Sequence, residues 1–203
     1  MTLKNDIKRT VSALLAVLFL FSFSSPTTGS DEPEEQAFLT LVNAMRSDPA
    51  SFIPKIDEYA NDWRSFVPNK KKFERAVAEA KKALKNTKPL PPFQLDTHLV
   101  KAAYDHALDG RRMAVLGHIG SDKSNPYTRV QRYVKYETVS EVITYGQAGA
   151  ADMLAAFLVD HDTPGRGHRK TILSTNLNSI GIAIDSHPKF RTQCVAVFAN
   201  VPK

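Results

Sequence analysis

Apolar side chains recur at helical spacing from residue 35 onward. In residues 35–46 they occupy Phe38, Leu41, Val42 and Met45, which is the i, i+3, i+4, i+7 pattern of an amphipathic helix. Similar spacing predicts further helices over residues 50–66, 70–85, 96–113, 126–136 and 150–159. The sequence therefore predicts a domain whose earlier part is mainly helical.

A different pattern follows late in the chain, where apolar residues gather in short runs. Residues 139–145, 180–184 and 193–199 are predicted strands, and the last two flank a turn at His187 and Pro188. Two strands joined in this way indicate a hairpin. Because helices come first and strands are mixed in late, the order favours α+β layers over a parallel βαβ repeat.

Two of the predicted helices carry more specific expectations. His106 lies on the apolar stripe of the helix over residues 96–113, so we expect a packed, hydrogen-bonded side chain and not a ligand. In the short helix that follows, we expect Tyr127, Val130 and Tyr133 to face inward.

The chain begins with a pattern typical of a secretory signal peptide. Three basic residues precede an apolar run over residues 11–23, and small polar residues follow to residue 30. The run is shorter than the ~20 residues of a membrane-spanning helix. We therefore predict a signal peptide over residues 1–30 and a single domain over residues 31–203. The exported protein is expected to be extracellular, or periplasmic in a Gram-negative cell, without stable membrane insertion.

Charge and cysteine content narrow the function classes. Removing residues 1–30 takes away three basic residues and one acidic residue, so the formal net charge falls from +6 to +4. Basicity of this size does not indicate a specific nucleic-acid partner. Cys194 is the single cysteine, so an intramolecular disulfide is excluded, and its position in a predicted strand favours a buried thiol. The lysines of residues 70–85 leave two alternatives open: a solvated helix face or a patch for anionic polymers.

Candidate chemistry is densest in residues 159–169, VDHDTPGRGHR. Titratable groups on a bent, glycine-containing loop are typical of functional sites. Elsewhere, His118 lies between glycines, and Glu141 lies among apolar neighbours. Two histidines with carboxylates would suit a divalent cation such as zinc, a general acid/base pair, or a self-satisfied buried network. The usual local catalytic signatures do not occur, so spacing alone leaves these three open.

Several segments together resemble the CAP superfamily, also called SCP/PR-1-like or cysteine-rich secretory protein-type domains. The matching segments, in family order, are FLTLVNAMRSDP, LPPFQLDTHLVKAAYDHALD, GHIGSDKSNPYTRVQRY, SEVITYG, LVDHDTPGRGHRKTIL and IGIAIDSHPKFRTQCVAVFA. A long insertion over residues 50–88 and the lack of disulfides look like the microbial branch. The resemblance implies a three-layer α-β-α sandwich with a central, mainly antiparallel sheet.

The resemblance also implies a cleft lined by two histidines and two acidic residues, which binds a divalent metal in some members. Matched by motif, these residues are His118, Glu141, Asp160 and His168, with the two histidines as the metal ligands. Asp160 is one methylene shorter than the glutamate of many members, so it either lines the cleft or reaches only Arg166 or His161.

Two further departures concern the neighbours of these residues. Ser140 and Val142 replace the usual Gly and Asn on either side of the strand glutamate, which alters the expected cleft geometry there. His161 and Asp162 are extra polar residues that the family pattern does not require, and we expect them to face solvent.

Two functions from different classes follow from this resemblance. The first is a secreted binding module whose His/acidic cleft takes an extracellular lipid, sterol, peptide or wall component. The second is a metal-assisted extracellular hydrolase or protease that uses the same cleft, with Glu141 as the base. Fold alone does not establish activity.

Overall fold

The computed structural model describes residues 33–202, so the predicted signal peptide lies outside the described residues. Proline, capping residues and apolar spacing delimit the helices much as the sequence predicts. Their bounds are α1 Glu34–Ser47, α2 Ile53–Trp63, α3 Lys70–Asn86, α4 Thr97–Met113, α5 Pro126–Val130, α6 Ala150–Val159 and α7 Gly167–Ile172. Asp96 caps α4 by accepting hydrogen bonds from the backbone N–H groups of His98 and Leu99.

Four strands form one sheet, in the order β1-β3-β4-β2. They are β1 Gln94–Leu95, β2 Val139–Tyr145, β3 Ser179–His187 and β4 Arg191–Ala199. β3 and β4 form the predicted hairpin, and β2 also pairs antiparallel with β4, whereas the short β1 pairs parallel with β3. The sheet is therefore mainly antiparallel, as predicted.

Side chains of the sheet alternate between two separate apolar cores. On β4, Cys194, Ala196 and Phe198 pack with α1, α2, α3, α6 and α7, while Val195 and Val197 pack with α4 and α5. A strand with both faces covered in this way is the middle of a three-layer sandwich. The predicted α-β-α architecture is confirmed.

The structure also corrects one expectation about orientation. The helix predicted over residues 126–136 is only five residues long, Pro126–Val130. Val130 is buried, but Tyr127 and Tyr133 lie outward, 48% and 36% exposed. The prediction that both tyrosines face inward was wrong: Tyr133 lies beyond the end of the helix, and Tyr127 lies within the helix but on its exposed side.

Other expectations about single residues hold. Cys194 is fully buried, and burial raises the pKa of its thiol well above the usual value. His106 is buried on α4, and its Nε2 donates a hydrogen bond to the carbonyl of Gly117 at 2.7 Å. Within residues 33–202, none of the helices combines the length and apolar character needed to cross a bilayer.

Candidate functional site

The candidate site residues come from both outer layers and meet at one edge of the sheet. β2 is one of the two edge strands of this sheet, and it carries Glu141. His118 follows α4 on one side of the sheet, and His168 lies in the first turn of α7 on the other side. On that second side, the hydroxyls of Ser140 and Thr171 are 2.9 Å apart and join β2 to α7. The four predicted residues therefore converge although they are distant in sequence.

His118 and Glu141 form the first histidine–carboxylate pair. Nδ1 of His118 lies 2.9 Å from Oε1 of Glu141, and Nη2 of Arg129 donates to Oε2 of Glu141 at 2.7 Å. The side chains of Glu141 and Arg129 are 0% and 2% exposed, whereas that of His118 is 47% exposed. Both oxygens of this buried carboxylate are therefore occupied by side chains of other segments. Glu141 therefore orients the exposed imidazole and is itself shielded from a ligand.

The loop that carries His118 is held by hydrogen bonds to the backbone of Gly117 and Val115. The N–H of Gly117 donates to the hydroxyl of Tyr145 at 2.9 Å, while its carbonyl accepts from His106. Nε2 of His187 lies 3.3 Å from the carbonyl of Val115. Gly117 has φ of 73°, a left-handed conformation that glycine adopts without strain. His118 is thus presented from a loop that is held on both sides.

Asp160 and His168 form the second pair. Oδ2 of Asp160 accepts from the backbone N–H of His168 at 2.9 Å, and Oδ1 lies 3.0 Å from Nδ1 of the same residue, without the alignment of a hydrogen bond. Burial acts to raise the pKa of Asp160, but contacts with His168, Thr163 and Arg169 outweigh it, and this pKa lies below its usual value. The shorter acidic side chain therefore reaches the cleft histidine, because the first turn of α7 folds back over it.

The loop before His168 explains why Asp160 does not pair with Arg166 or His161. Nη1 of Arg166 donates to the backbone carbonyls of Asp160 and His161, at 2.8 and 3.2 Å, and not to the carboxylate.

Asp162 faces solvent as expected. His161 does not: its side chain is 22% exposed, and its ring packs edge-on against Phe73 at 5.2 Å between ring centres. The prediction that His161 faces solvent was wrong because α3 covers this part of the loop.

The two cleft imidazoles lie close to one another. The ring centres of His118 and His168 are 6.4 Å apart, and neither Nε2 atom has a hydrogen-bond partner among residues 33–202. A histidine whose Nδ1 faces a carboxylate keeps the lone pair on Nε2, which can accept a proton or bind a ligand. The pairs thus present two basic nitrogen atoms to the same cleft.

This donor set does not complete a catalytic zinc site. Such a site takes three protein ligands, whereas the cleft offers two imidazole nitrogens, and both Glu141 oxygens are already bonded. Over residues 33–202, no group of three or more His, Cys, Asp or Glu side chains has an arrangement that could hold a metal ion. Metal binding at His118 and His168 stays a prediction.

Two cavities lie near these residues: one of about 370 Å³, lined in part by His106, Ser124 and Arg129, and one of about 330 Å³ beside His168. The second is part of the cleft, since both residues of the second pair line it. Its lining residues are Tyr59, Trp63, Ile143, Thr144, Tyr145, Gln147, Ala156, Phe157, Asp160, His161, Asp162, Thr163, His168 and Phe190.

Sequence reasoning missed two parts of this site. Arg129 was missed because it lies on a short helix without clear periodicity; the signal that could have found it was Glu141, since a buried glutamate is rare without a cationic partner. Tyr59 and Trp63 were missed as cleft residues because the apolar spacing of α2 indicated only an amphipathic helix. Their contribution depends on how the insertion packs against α6, which helical spacing does not encode.

A family model supports the family resemblance that the sequence motifs indicate. The model of the cysteine-rich secretory protein family, CAP, matches residues 39–199. The chain belongs to the CAP family. This match includes all four candidate site residues and the insertion over residues 50–88.

Individual relatives are more distant. The chain is 26% identical over 140 residues to the uncharacterized protein YkwD of Bacillus subtilis (strain 168), a match that covers 68% of this chain and 52% of YkwD. The chain thus spans about half the length of this curated relative.

Solved structures with similar folds include two surface or extracellular proteins. An outer surface protein from Borrelia burgdorferi has a TM-score of 0.49 and 19% identity, with 64% of this chain and 90% of that chain covered. An extracellular protein containing an SCP domain from Bacillus anthracis str. Ames has a TM-score of 0.48 and 17% identity, with 64% and 39% covered.

Proposed function

We propose that this CAP domain is exported and binds an extracellular ligand in the cleft between its two histidine–carboxylate pairs. The observation that carries the proposal is the convergence of His118 and His168, each with Nδ1 against a buried carboxylate and Nε2 free within the described structure. A concave site with a few oriented polar groups and apolar walls is typical of small-ligand binding. The Bacillus anthracis and Borrelia burgdorferi proteins named above are described as extracellular and outer surface proteins, which agrees with export.

The test measures binding of four probe classes to the purified exported protein by titration calorimetry. The probes are oleate, ergosterol, a tryptic peptide mixture from casein, and solubilised peptidoglycan. We expect at least one class to bind wild type, and the double variant His118→Ala/His168→Ala to bind it at least about tenfold more weakly. His98→Ala is the matched control, since this half-exposed histidine begins α4 and does not line the cleft. Binding that ignores the double variant, or no binding in any class, would overturn the proposal.

Hydrolysis is the second candidate function, and the orientation of the imidazoles favours it. An imidazole whose Nδ1 is held by a carboxylate can take a proton from water through Nε2, and the neighbouring imidazole can return a proton to the leaving group. Ser140 is not placed as a nucleophile, because its hydroxyl is bonded to Thr171. Peptide release from fluorescein-labelled casein, measured with and without added zinc, tests this function, because the hydrolase expected from the sequence is metal-assisted. Turnover that persists equally in His118→Ala/His168→Ala would exclude it.

The metal prediction is tested separately by titrating zinc into wild type and the same double variant. Equal heats of binding for the two proteins would end the prediction that His118 and His168 are metal ligands. This titration contains neither ligand nor casein, so its result is read separately from the other two assays.

A further inference from the structure

The cavity beside His168 is walled by aromatic rings from two different parts of the fold. Trp63 stacks on Tyr59 with ring centres 5.8 Å apart and an interplanar angle of 27°. Tyr145 and Phe190, at the far end of β2 and in the hairpin turn, lie 5.4 Å apart. All four rings line the cavity. Trp63, Tyr145 and Phe190 are half-buried, so their rings remain partly available to a ligand.

Polar groups stand between these rings. Thr144 donates to Oε1 of Gln147 at 2.6 Å, which leaves the amide NH₂ of Gln147 without a partner among residues 33–202. The indole N–H of Trp63 is likewise unpaired within that range. Asp162, whose 76% exposed side chain contacts Lys72 and His161, supplies acceptor oxygens at the other wall, whereas the Asp160 side chain is only 1% exposed. The cavity therefore offers both hydrogen-bond donors and acceptors beside flat apolar surfaces.

Charge and size decide between ligand classes. Within the described residues the lining contains two aspartates and no Lys or Arg, and its two imidazoles, His161 and His168, each face one of those aspartates. It therefore lacks the unpaired cation that a phosphate or carboxylate ligand needs. Burying an acyl chain against unpaired donors and two carboxylates would be unfavourable. A volume of about 330 Å³ is near the lower end of small-ligand sites, about 300–1,000 Å³. These properties favour an uncharged, single-ring ligand with many hydroxyl groups.

We propose that this aromatic cavity is a subsite for an uncharged saccharide ring of the ligand that the cleft binds. One face of a sugar ring presents C–H groups that pack on an aromatic ring, while its hydroxyls bond to amide and carboxylate groups at the edge. Trp63 is the stacking residue, and Gln147 and Asp162 are the hydroxyl partners. The inference rests on the proposed cleft function, and it assigns the insertion over residues 50–88 a part in ligand selection.

Trp63 is the single tryptophan of the chain, so its fluorescence reports directly on occupancy of the subsite. The probe is the neutral tetramer of N-acetylglucosamine, compared with an anionic trigalacturonate of similar length. We expect the neutral tetramer to change the Trp63 emission saturably, and the anionic oligosaccharide to bind at least about tenfold more weakly.

Variants separate stacking from folding. Trp63→Ala should weaken binding of the neutral tetramer at least about tenfold by calorimetry, while Trp63→Phe, which keeps a flat ring, should retain part of it. Phe66→Ala is the matched control, because Phe66 contacts Trp63 at 6.4 Å between ring centres but is 77% exposed and does not line the cavity. This control should bind like wild type.

Three results would overturn the subsite. They are an unchanged Trp63 emission with the neutral tetramer at about 10 mM, equal binding of the anionic oligosaccharide, or full binding by Trp63→Ala. Oleate, sterol or peptide binding that depends on His118 and His168 would still support the cleft function in that case. The saccharide assignment would then fall while the proposed function stands.

Discussion

Arg129 and Glu141 form an ion pair between the sheet and α5 that is almost fully withdrawn from water. Nη2 of Arg129 lies 2.7 Å from Oε2 of Glu141, and the side chains are 2% and 0% exposed. The guanidinium also donates to the backbone carbonyls of His118 and Ser124, at 3.1 Å in both cases. One buried cation thus neutralises the cleft carboxylate and holds the loop that carries the cleft histidine.

This pair predicts a large loss of stability when one partner is removed. Arg129→Met leaves the Glu141 charge buried without its cation, so the free energy of unfolding should fall by about 3–5 kcal/mol. The double variant Arg129→Met/Glu141→Leu should recover much of that loss, because no unpaired charge remains. Urea denaturation of the three proteins measures both effects. A single variant as stable as wild type would show that the pair is open to water in solution.

Two different substitutions of Asp160 should lower the stability of the protein to different extents. Asn and Asp tolerate the left-handed backbone that Asp160 adopts, with φ of 53°. Asp160→Asn should therefore keep the helix end and lose only the charge facing His168, whereas Asp160→Ala also loses the acceptor for the His168 N–H, a loss of about 1–2 kcal/mol. Because the pKa of Asp160 lies below its usual value, the contribution of its charge is present above pH ~4 and lost on further acidification. Thermal melting at pH 7 and pH 3 checks both statements, and equal stability of the two variants at pH 7 would contradict the first.

The burial of His106 should make the folded protein less stable at mildly acidic pH. Burial lowers the pKa of His106, so the folded protein keeps this imidazole neutral where the unfolded chain is already protonated. The free energy of unfolding should fall as the pH drops below ~6.5, by at most about 1.4 kcal/mol per pH unit for one group. Burial also lowers the pKa of His161, which acts in the same direction.

The comparison that isolates His106 is the slope of stability against pH between pH 6.5 and about pH 5. His106→Gln should show a shallower slope than wild type, and His98→Gln, at a half-exposed position, should not. An unchanged slope in His106→Gln would mean that other groups dominate acid unfolding in this window.

The absence of a side chain at Gly181 allows α4 to pack closely against the sheet. A Cβ atom at this position would overlap backbone atoms of Leu99 and Val100. Gly181→Ala should force α4 away from β3, with a loss of about 1–3 kcal/mol or more in the free energy of unfolding. Gly149→Ala is the matched control, because a Cβ there meets only Glu34 at an ordinary 3.5 Å. Similar melting temperatures for the two variants would contradict this account.

Local signals in the sequence were enough for most of the fold. Asp96 and the apolar stripe after it fix the start and the buried face of α4, because both depend on neighbouring residues. The prediction for Tyr133 failed because α5 ends before it, and that for Tyr127 failed because the apolar positions of a five-residue helix do not define its buried face. Glu141 was singled out by its apolar surroundings, but its bonds to His118 and Arg129 join three separate segments, and spacing within any one of them carries no trace of that contact. The flanking glycines marked His118 as a candidate, and the family resemblance placed it in the cleft. Glu141 signals a cationic partner, but only packing identifies that partner as Arg129.

The approach of the two histidines from opposite layers has a mechanical consequence. His118 is carried by the layer of α4 and α5, and His168 by the layer of α6 and α7, with the sheet between them. The 6.4 Å between their ring centres therefore depends on how far apart the two helical layers lie at the edge of β2. A larger side chain in either core would spread the imidazoles without touching them, so selection on ligand binding would also constrain core residues that never meet the ligand.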